Sequence, residues 1–189
     1  MPETEATIKG TILRSLLKFV EKDLSPEQRA RALAALPEAD RQLAGQSSIL
    51  ASQKVSEFML NRLTVEAARA KGEALESFGR RAGRAELADA VGVYRFLVIV
   101  LTPTAMLHKA STLWSTVHSH GQLIVEKETP ISARVRLRGY PSEEANCARL
   151  SGWFEGAAEM TGAKKPHVVH DACMTRGDAD CEWELGWSK

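Results

Sequence analysis

The sequence has almost no charge imbalance and no long apolar segment. Its 25 Lys and Arg residues are balanced by 24 Asp and Glu residues, which gives a formal net charge of +1. A balanced chain lacks the electrostatic attraction by which proteins bind nucleic acids or anionic membranes, so we expect neither as a direct partner. The longest uninterrupted apolar run covers 96–101, far short of the roughly 20 residues of a membrane-spanning helix. We therefore expect no membrane span.

The pattern of a signal peptide is also missing. The first five residues, Met-Pro-Glu-Thr-Glu, are acidic and no apolar core follows them. We therefore expect a cytoplasmic protein. In that compartment the three cysteines are expected to be thiols or metal ligands rather than disulfides. A chain of 189 residues can bury a substantial core, and we predict one domain over 1–189.

Recognisable catalytic motifs are missing as well. The sequence has no Gly-rich fingerprint of a dinucleotide-binding protein. His118 and His120 flank Ser119, and Asp171 follows His170, but neither group includes a nucleophile, a base and an orienting residue at a motif spacing. We therefore expect that the chain is not an enzyme, and we assign no catalytic residue.

Helical periodicity dominates residues 1–121. Ser25-Pro26-Glu27-Gln28 has the order of a capping box with proline at the first helical position, so it predicts the start of a helix. Thr102-Pro103 predicts another helix start, and Gly121 follows that helix. Apolar residues at intervals of three and four predict further helices. These cover 6–22, 48–70, a short segment that stops near Gly83, and 85–101, where a buried strand is the alternative.

The periodicity changes to two after Gly121. Residues 123–128 and 131–140 predict a hairpin, in which three arginines alternate with apolar residues. Such a strand has one buried face and one solvated face, on which Glu126 and Glu128 are available partners. A helix over 142–161 and strands over 166–172 and from Cys181 onward complete the pattern. We predict an α+β fold, with helical residues 1–121 packed on a four-stranded antiparallel sheet of order ββαββ in residues 122–189.

The three cysteines and one histidine form a candidate metal site. Cys147 lies near the start of the predicted helix, Cys173 ends the third strand and Cys181 begins the fourth. His170 precedes Cys173 by three positions, so its ring reaches the same point only if the strand bends. Structural zinc accepts three thiolates and one imidazole. Three buried free thiols are the alternative, and no CxxC pair is present.

This motif resembles the 4-vinyl-reductase-type small-molecule-binding domain. That domain also forms the effector-sensing half of the phenol-responsive transcription activators. Its zinc is held by a cysteine on a helix and by a Glu-x-x-Cys-x(7)-Cys run. Cys147 matches the helix cysteine, and His170-x-x-Cys173-x(7)-Cys181 matches the run with histidine in place of glutamate. The resemblance implies a structural zinc ion, a small-molecule ligand and a homodimer.

A wider resemblance covers nearly the whole chain. Ile8-Lys9-Gly10-Thr11, Gly121, Gly139-Tyr140-Pro141 and Gly177-Asp178 are similar to an uncharacterised bacterial family of single-domain proteins. That family is similar to the haem–nitric-oxide-binding (H-NOX) fold and to a vesicle-tethering subunit with an acyl-binding cavity. A haem-based gas or redox sensor is therefore the alternative function.

We nevertheless expect no haem. The H-NOX motif Tyr-x-Ser-x-Arg, which holds the haem propionates, is reduced here to Ser132-Ala133-Arg134. His108, His118 and His120 are the candidate iron ligands. The 3.6-residue period places His108 opposite the apolar stripe of its helix, which favours a surface position.

Four aromatic residues are candidates for the wall of an apolar pocket between the helices and the sheet: Tyr94, Phe96, Trp114 and Trp153. Ordinary core packing is the alternative. Together these patterns predict a sensor or regulatory domain for a small apolar or aromatic ligand. Any signal is expected to pass to a separate output protein. A ligand-free protein-interaction module is a further alternative.

Overall fold

The structure, a computed structural model, describes residues 6–91 and 100–188. Within these ranges none of the helices is both long enough and apolar enough to cross a membrane. The described residues form seven α-helices, six strands and a short 3₁₀ helix in this order: β1 (Thr7–Lys9), α1 (Gly10–Asp23), α2 (Pro26–Ala34), α3 (Glu38–Ala44), β2 (Lys54–Ser56), α4 (Glu57–Lys71), α5 (Leu75–Val91), α6 (Pro103–Val117), β3 (Gln122–Thr129), β4 (Ser132–Arg138), α7 (Glu144–Met160), β5 (Lys164–Ala172), the 3₁₀ helix (Met174–Arg176) and β6 (Cys181–Ser188).

Two helix starts follow directly from the sequence. The backbone N–H of Gln28 donates to Ser25 Oγ at 3.2 Å, and the N–H of Ser25 donates to Gln28 Oε1 at 2.9 Å, so the predicted capping box is formed. The N–H of Ala105 donates to Thr102 Oγ1 at 3.2 Å at the start of α6. Each cap satisfies backbone donors that have no partner within the helix.

The first predicted helix was placed too early. Thr7–Lys9 is a strand that pairs antiparallel with Lys54–Ser56, with Ile8 opposite Val55. The segment predicted over 48–70 likewise becomes helical only at Glu57. Ile8 and Val55 are buried in these strands. One buried apolar residue is equally compatible with a three-residue strand and with the first turn of a helix, so apolar periodicity does not distinguish them.

The predicted stop near Gly83 was also wrong, because α5 continues to Val91. A Cβ atom on Gly83 would lie 1.8 Å from the carbonyl oxygen of Arg149 on α7, and one on Gly152 would lie 1.9 Å from the carbonyl oxygen of Arg80. These glycines allow α5 and α7 to pack backbone against backbone. The rest of the helix predicted over 85–101 falls partly in 92–99, outside the described residues, and residues 100 and 101 are not helical.

The C-terminal half confirms the predicted α+β fold. The sheet has the order β3-β4-β6-β5, and every neighbouring pair is antiparallel. One face of β4 packs into the core. The opposite face carries arginines that pair with carboxylates: Arg136 Nη2 lies 2.9 Å from Glu182 and 3.4 Å from Glu126, and Arg134 Nη1 lies 3.5 Å from Glu182. The arginine run is thus a solvated, charge-paired face.

Candidate metal site and adjoining cavity

The three cysteines and His170 meet at one point. One ligand atom from each of the four residues lies within 4.8 Å of all the others. The Sγ atom of Cys147 is 3.8 Å from those of Cys173 and Cys181, which are 3.9 Å from each other. All three thiols are free and buried. This Cys₃His cluster could hold a metal ion.

An irregularity in β5 brings His170 to the cluster. The register between β5 and β6 shifts between His170 and Ala172, so Asp171 is an extra residue in the strand. Such a bulge redirects the side chains beside it. The ring of His170 stacks on Trp183 at 4.6 Å between centroids, and its Nε2 is buried without a hydrogen-bond partner. A free lone pair on a buried imidazole nitrogen is what a metal ligand requires.

The loop between the two strands is built around Cys173. Gly177 has a φ of 96°, a left-handed conformation that closes the 3₁₀ turn at little cost to glycine. The Asp178 carboxylate accepts a hydrogen bond from the backbone N–H of Cys173 at 2.7 Å. Arg176 donates to the carbonyl oxygen of His170 at 3.1 Å. The Gly-Asp turn thus fixes the positions of two candidate ligands.

The electrostatics of the cluster favour a thiolate at Cys181. The thiol of Cys147 donates a hydrogen bond to Cys181 and lowers the pKa of Cys181 to about 3, whereas the same bond and burial raise the pKa of Cys147. Cys147 lies in the first turn of α7, where the helix dipole favours negative charge. A cavity of about 230 Å³ lined by Cys147, His170 and Cys173, among others, borders the cluster and offers a route for an ion.

A second cavity, of about 260 Å³, lies between the helices and the sheet. On α7 it is lined by Asn146 and Arg149, which lie one and two positions from the cluster residue Cys147. Two of the predicted pocket residues, Trp114 and Trp153, also line it, whereas Tyr94 and Phe96 lie outside the described residues. The walls are otherwise largely aliphatic: Ile8, Ile12, Leu87, Ala90, Met106, Ala110, Leu113, Val117, Leu123 and Leu150, with Phe154.

Sequence reasoning missed the polar side of this cavity. His118, Glu86, Asn146 and Arg149 line it together with the apolar groups. The last three are 5%, 1% and 4% exposed, respectively. A signal was available, because Asn146 and Arg149 precede the inward-facing residues Leu150 and Trp153 by four positions each and therefore share their helix face.

The candidate iron ligands His108 and His118 occupy two different environments. His108 is half exposed, and its Nε2 lies 3.1 Å from Glu128, so the prediction that it faces away from the apolar stripe is confirmed. His118 is, among the described residues, the one histidine that lines the larger cavity. Its ring stacks on Trp114 at 3.7 Å, and its Nδ1 lies 3.2 Å from the hydroxyl of Tyr140. Burial lowers the pKa of His118 to about 3, so the ring is neutral.

Several solved structures with a similar architecture are H-NOX proteins. An H-NOX protein from S. oneidensis in the Fe(II)NO state is 14% identical and has a TM-score of 0.73, with 96% of this chain and 100% of that chain covered. An unliganded Fe(II) H-NOX protein from K. algicida is 12% identical, with a TM-score of 0.73 and coverage of 96% and 97%. An oxygen-binding H-NOX domain related to soluble guanylate cyclases is 11% identical, with a TM-score of 0.67 and coverage of 96% of each chain. The fold is therefore H-NOX-like.

The sequence itself gives the family. Residues 4–188 match the family described as Protein of unknown function (DUF2378), and the chain belongs to it. Among curated proteins, no sequence matches this chain. The resemblance to the 4-vinyl-reductase-type domain rests on the cysteine and histidine motif alone. Because the similar structures hold haem iron, the comparisons do not support the expectation that this chain binds no haem.

Proposed function

We propose that the chain is a small-molecule-binding sensor domain with a structural zinc ion at Cys147, His170, Cys173 and Cys181. The spacing of the three sulfurs supports this most directly. Four ligands at about 2.3 Å from a tetrahedral zinc ion lie about 3.8 Å from one another. The observed Sγ separations are 3.8, 3.8 and 3.9 Å. Thiolate and imidazole ligands also suit zinc better than calcium or magnesium, which prefer oxygen.

The zinc would be structural rather than catalytic. Four protein ligands fill all the positions of a tetrahedral ion and leave none for water or substrate. The ligands come from α7, from β5, from the β5–β6 loop and from the first residue of β6, so the ion would link the helix to the hairpin. No enzymatic activity is proposed.

The cavity supports the sensing part of the proposal. An engineered cavity of about 150 Å³ holds benzene, so 260 Å³ suits a somewhat larger molecule. Apolar walls with a few polar groups are typical of small-molecule sites. The domain would act in the cytoplasm as a homodimer, and it would pass its signal to a separate protein.

Haem is the alternative, favoured by the H-NOX-like fold and by the position of His118 in the cavity. A porphyrin is several times larger than benzene, whereas the cavity is less than twice the benzene-binding volume. The ring of His118 is also held between Trp114 and Tyr140. These observations favour a smaller ligand over haem.

Elemental mass spectrometry of the purified, untagged chain tests the metal. We expect about one zinc per chain and no iron, with no Soret absorption. Stoichiometric iron with a Soret band would show that the chain binds haem and would contradict the proposed zinc-stabilised sensor. Absence of both metals would show that the three cysteines are buried free thiols and would contradict the proposed zinc site.

A cavity-filling variant tests ligand binding independently of the metal. Ala110→Phe places a ring in the larger cavity, whereas Ser115→Phe places the same ring on an exposed position of α6 that does not line it. We expect small aromatic compounds to raise the Tm of the wild type and of Ser115→Phe, but not of Ala110→Phe. Equal shifts in all three proteins would show that binding occurs elsewhere.

A further inference from the structure

Two buried carboxylates share one arginine at the wall of the larger cavity. Arg149 Nε lies 2.9 Å from Glu86 Oε1, and Arg149 Nη2 lies 3.8 Å from Glu57 Oε1. Glu57 is fully buried, and Glu86 and Arg149 are nearly so. In the described ranges Glu86 has no other ion-pair partner. One guanidinium therefore faces two carboxyl groups, and when both are ionised the cluster carries one negative charge in excess.

The neighbouring groups do not correct this imbalance. His118 Nδ1 is 3.9 Å from Glu57, but burial keeps that imidazole neutral, with a pKa of about 3. Burial likewise raises the pKa of Tyr140, whose phenol stays neutral. Burial raises the pKa of Glu57, Arg149 opposes that shift, and the negative charge of Glu143 adds to it. Lys109 also lines the cavity, with an exposed side chain.

Three atoms on the cavity-lining side chains have no hydrogen-bond partner: Asn146 Nδ2, Glu86 Oε1 and Arg149 Nε. The last two form an ion pair at 2.9 Å that falls outside hydrogen-bond geometry. The side chains of Glu86, Asn146 and Arg149 are buried, and they line the same cavity as Trp114 and Trp153. Buried polar atoms without partners are rare in folded proteins, and a missing ligand is one explanation for them.

We infer that the cavity binds a small primary amine with an apolar body, whose ammonium group pairs with Glu86. This inference rests on the proposed ligand-binding function and names its ligand class. The apolar walls would take the body, and an acceptor atom on the ligand would pair with Asn146 Nδ2. An ammonium donates three hydrogen bonds and supplies the charge that the two carboxylates lack.

An uncharged alcohol could satisfy Glu86 by hydrogen bonding but would leave the excess charge. A carboxylic acid would add a third negative charge to the cluster, and it would have to find its partner in Lys109 instead. The ammonium is therefore the head group that improves both the hydrogen bonding and the charge balance of the site.

Three probes of matched size separate these possibilities: benzylamine, benzyl alcohol and benzoate, measured by calorimetry on the metal-loaded full chain at neutral pH. We expect benzylamine to bind at least about tenfold more tightly than benzyl alcohol, and benzoate to bind least. Benzyl alcohol or benzoate binding as tightly as benzylamine would overturn the amine and leave the cavity as a ligand site. No binding by any probe would count against both.

Two glutamine variants then locate the ammonium. Glu86→Gln should abolish the preference for benzylamine over benzyl alcohol while benzyl alcohol still binds. Glu57→Gln removes the same charge from a carboxylate that does not line the cavity, so part of the preference should remain. An unchanged preference in Glu86→Gln would contradict the proposed pairing.

Discussion

The Sγ atoms of Cys147 and Cys181 lie 3.8 Å apart although 34 positions separate them in sequence. The first belongs to α7 and the second begins β6, so two elements of the C-terminal half meet at this point. Cys173 completes a triangle of nearly equal sides. Without a metal ion these thiols would be ordinary buried side chains. With a metal ion bound, metal–sulfur bonds would cross-link α7 to the β5–β6 hairpin.

Replacement of a cluster cysteine should remove the metal and destabilise the fold. In Cys173→Ser or Cys181→Ser we expect the zinc content to fall well below one per chain. Since binding free energy at a structural zinc site is folding free energy, the Tm should also fall by many degrees. Metal analysis and thermal melting measure both effects. A variant that kept both its metal and its Tm would contradict the site.

The two histidines of β5 provide a matched pair for the fourth ligand. His170→Gln should weaken zinc retention against a chelator by about 10- to 100-fold or more, because a neutral amide is a poor zinc ligand. His167→Gln changes an exposed residue three positions earlier and should leave retention unchanged. Chelator competition measures the difference. Equal retention in the two variants would remove His170 from the site.

The glycine contact between α5 and α7 should be intolerant of a single methyl group. Gly83→Ala would place Cβ 1.8 Å from the carbonyl oxygen of Arg149, so the helices must separate, which we expect to cost about 2–4 kcal/mol. Gly45→Ala is the control, because its added Cβ meets no atom closer than 3.4 Å. Chemical denaturation of both variants measures the cost. A Gly83→Ala protein as stable as the control would contradict the close packing.

The buried carboxylates predict a specific pH dependence of stability. Burial, the largest effect, raises the pKa of Glu86 from 4.5 to about 6, and it also raises that of Glu57. A raised carboxyl pKa means that the folded state binds the proton more tightly. The stabilisation from Glu86 is therefore complete below about pH 4.5 and is lost as the pH rises through about 6, a change of about 2 kcal/mol.

Comparison with Glu86→Gln isolates this effect from the pH dependence of the metal site. The free energy of unfolding of the wild type, relative to the variant, should decrease between about pH 4.5 and 6 and stay constant above that range. Denaturant titrations at a series of pH values measure it. A difference that does not change across this range would show that Glu86 has an ordinary pKa in the folded state.

Much of the fold could be predicted, because its signals are local. Alternation along β4 was sufficient to predict the first hairpin, and the second hairpin brought Cys173 and Cys181 together. The spacing left three buried thiols as an alternative, and the resemblance to the 4-vinyl-reductase-type domain implied that Cys147 joins them. The bulge at Asp171 was required by the hypothesis that His170 is a ligand, but it has no sequence pattern of its own. It is fixed by pairing with β6.

Other features depend on tertiary contacts and could not be predicted from local patterns. A glycine such as Gly83 often marks the end of a helix. Here it lies inside α5 because the backbone of Arg149 on α7 packs against it. Asn146 and Arg149 share the helix face of Leu150 and Trp153, which indicates their inward position, but the cavity that they line is completed by other elements of the fold. Arg149 on α7 pairs with Glu57 on α4 and with Glu86 on α5. These three residues are far apart in sequence, so their cluster forms only when the chain is folded.

Helix α7 belongs to both the metal cluster and the larger cavity. Cys147 points to the cluster, while its neighbours Asn146 and Arg149 line the cavity, within about one helical turn. Any effect of cavity occupancy on metal affinity must be matched by an equal effect of the metal on ligand affinity, because binding linkage is reciprocal. With that coupling, the ligand concentration needed for a response would depend on metal supply. One small domain would then report on two chemical conditions together.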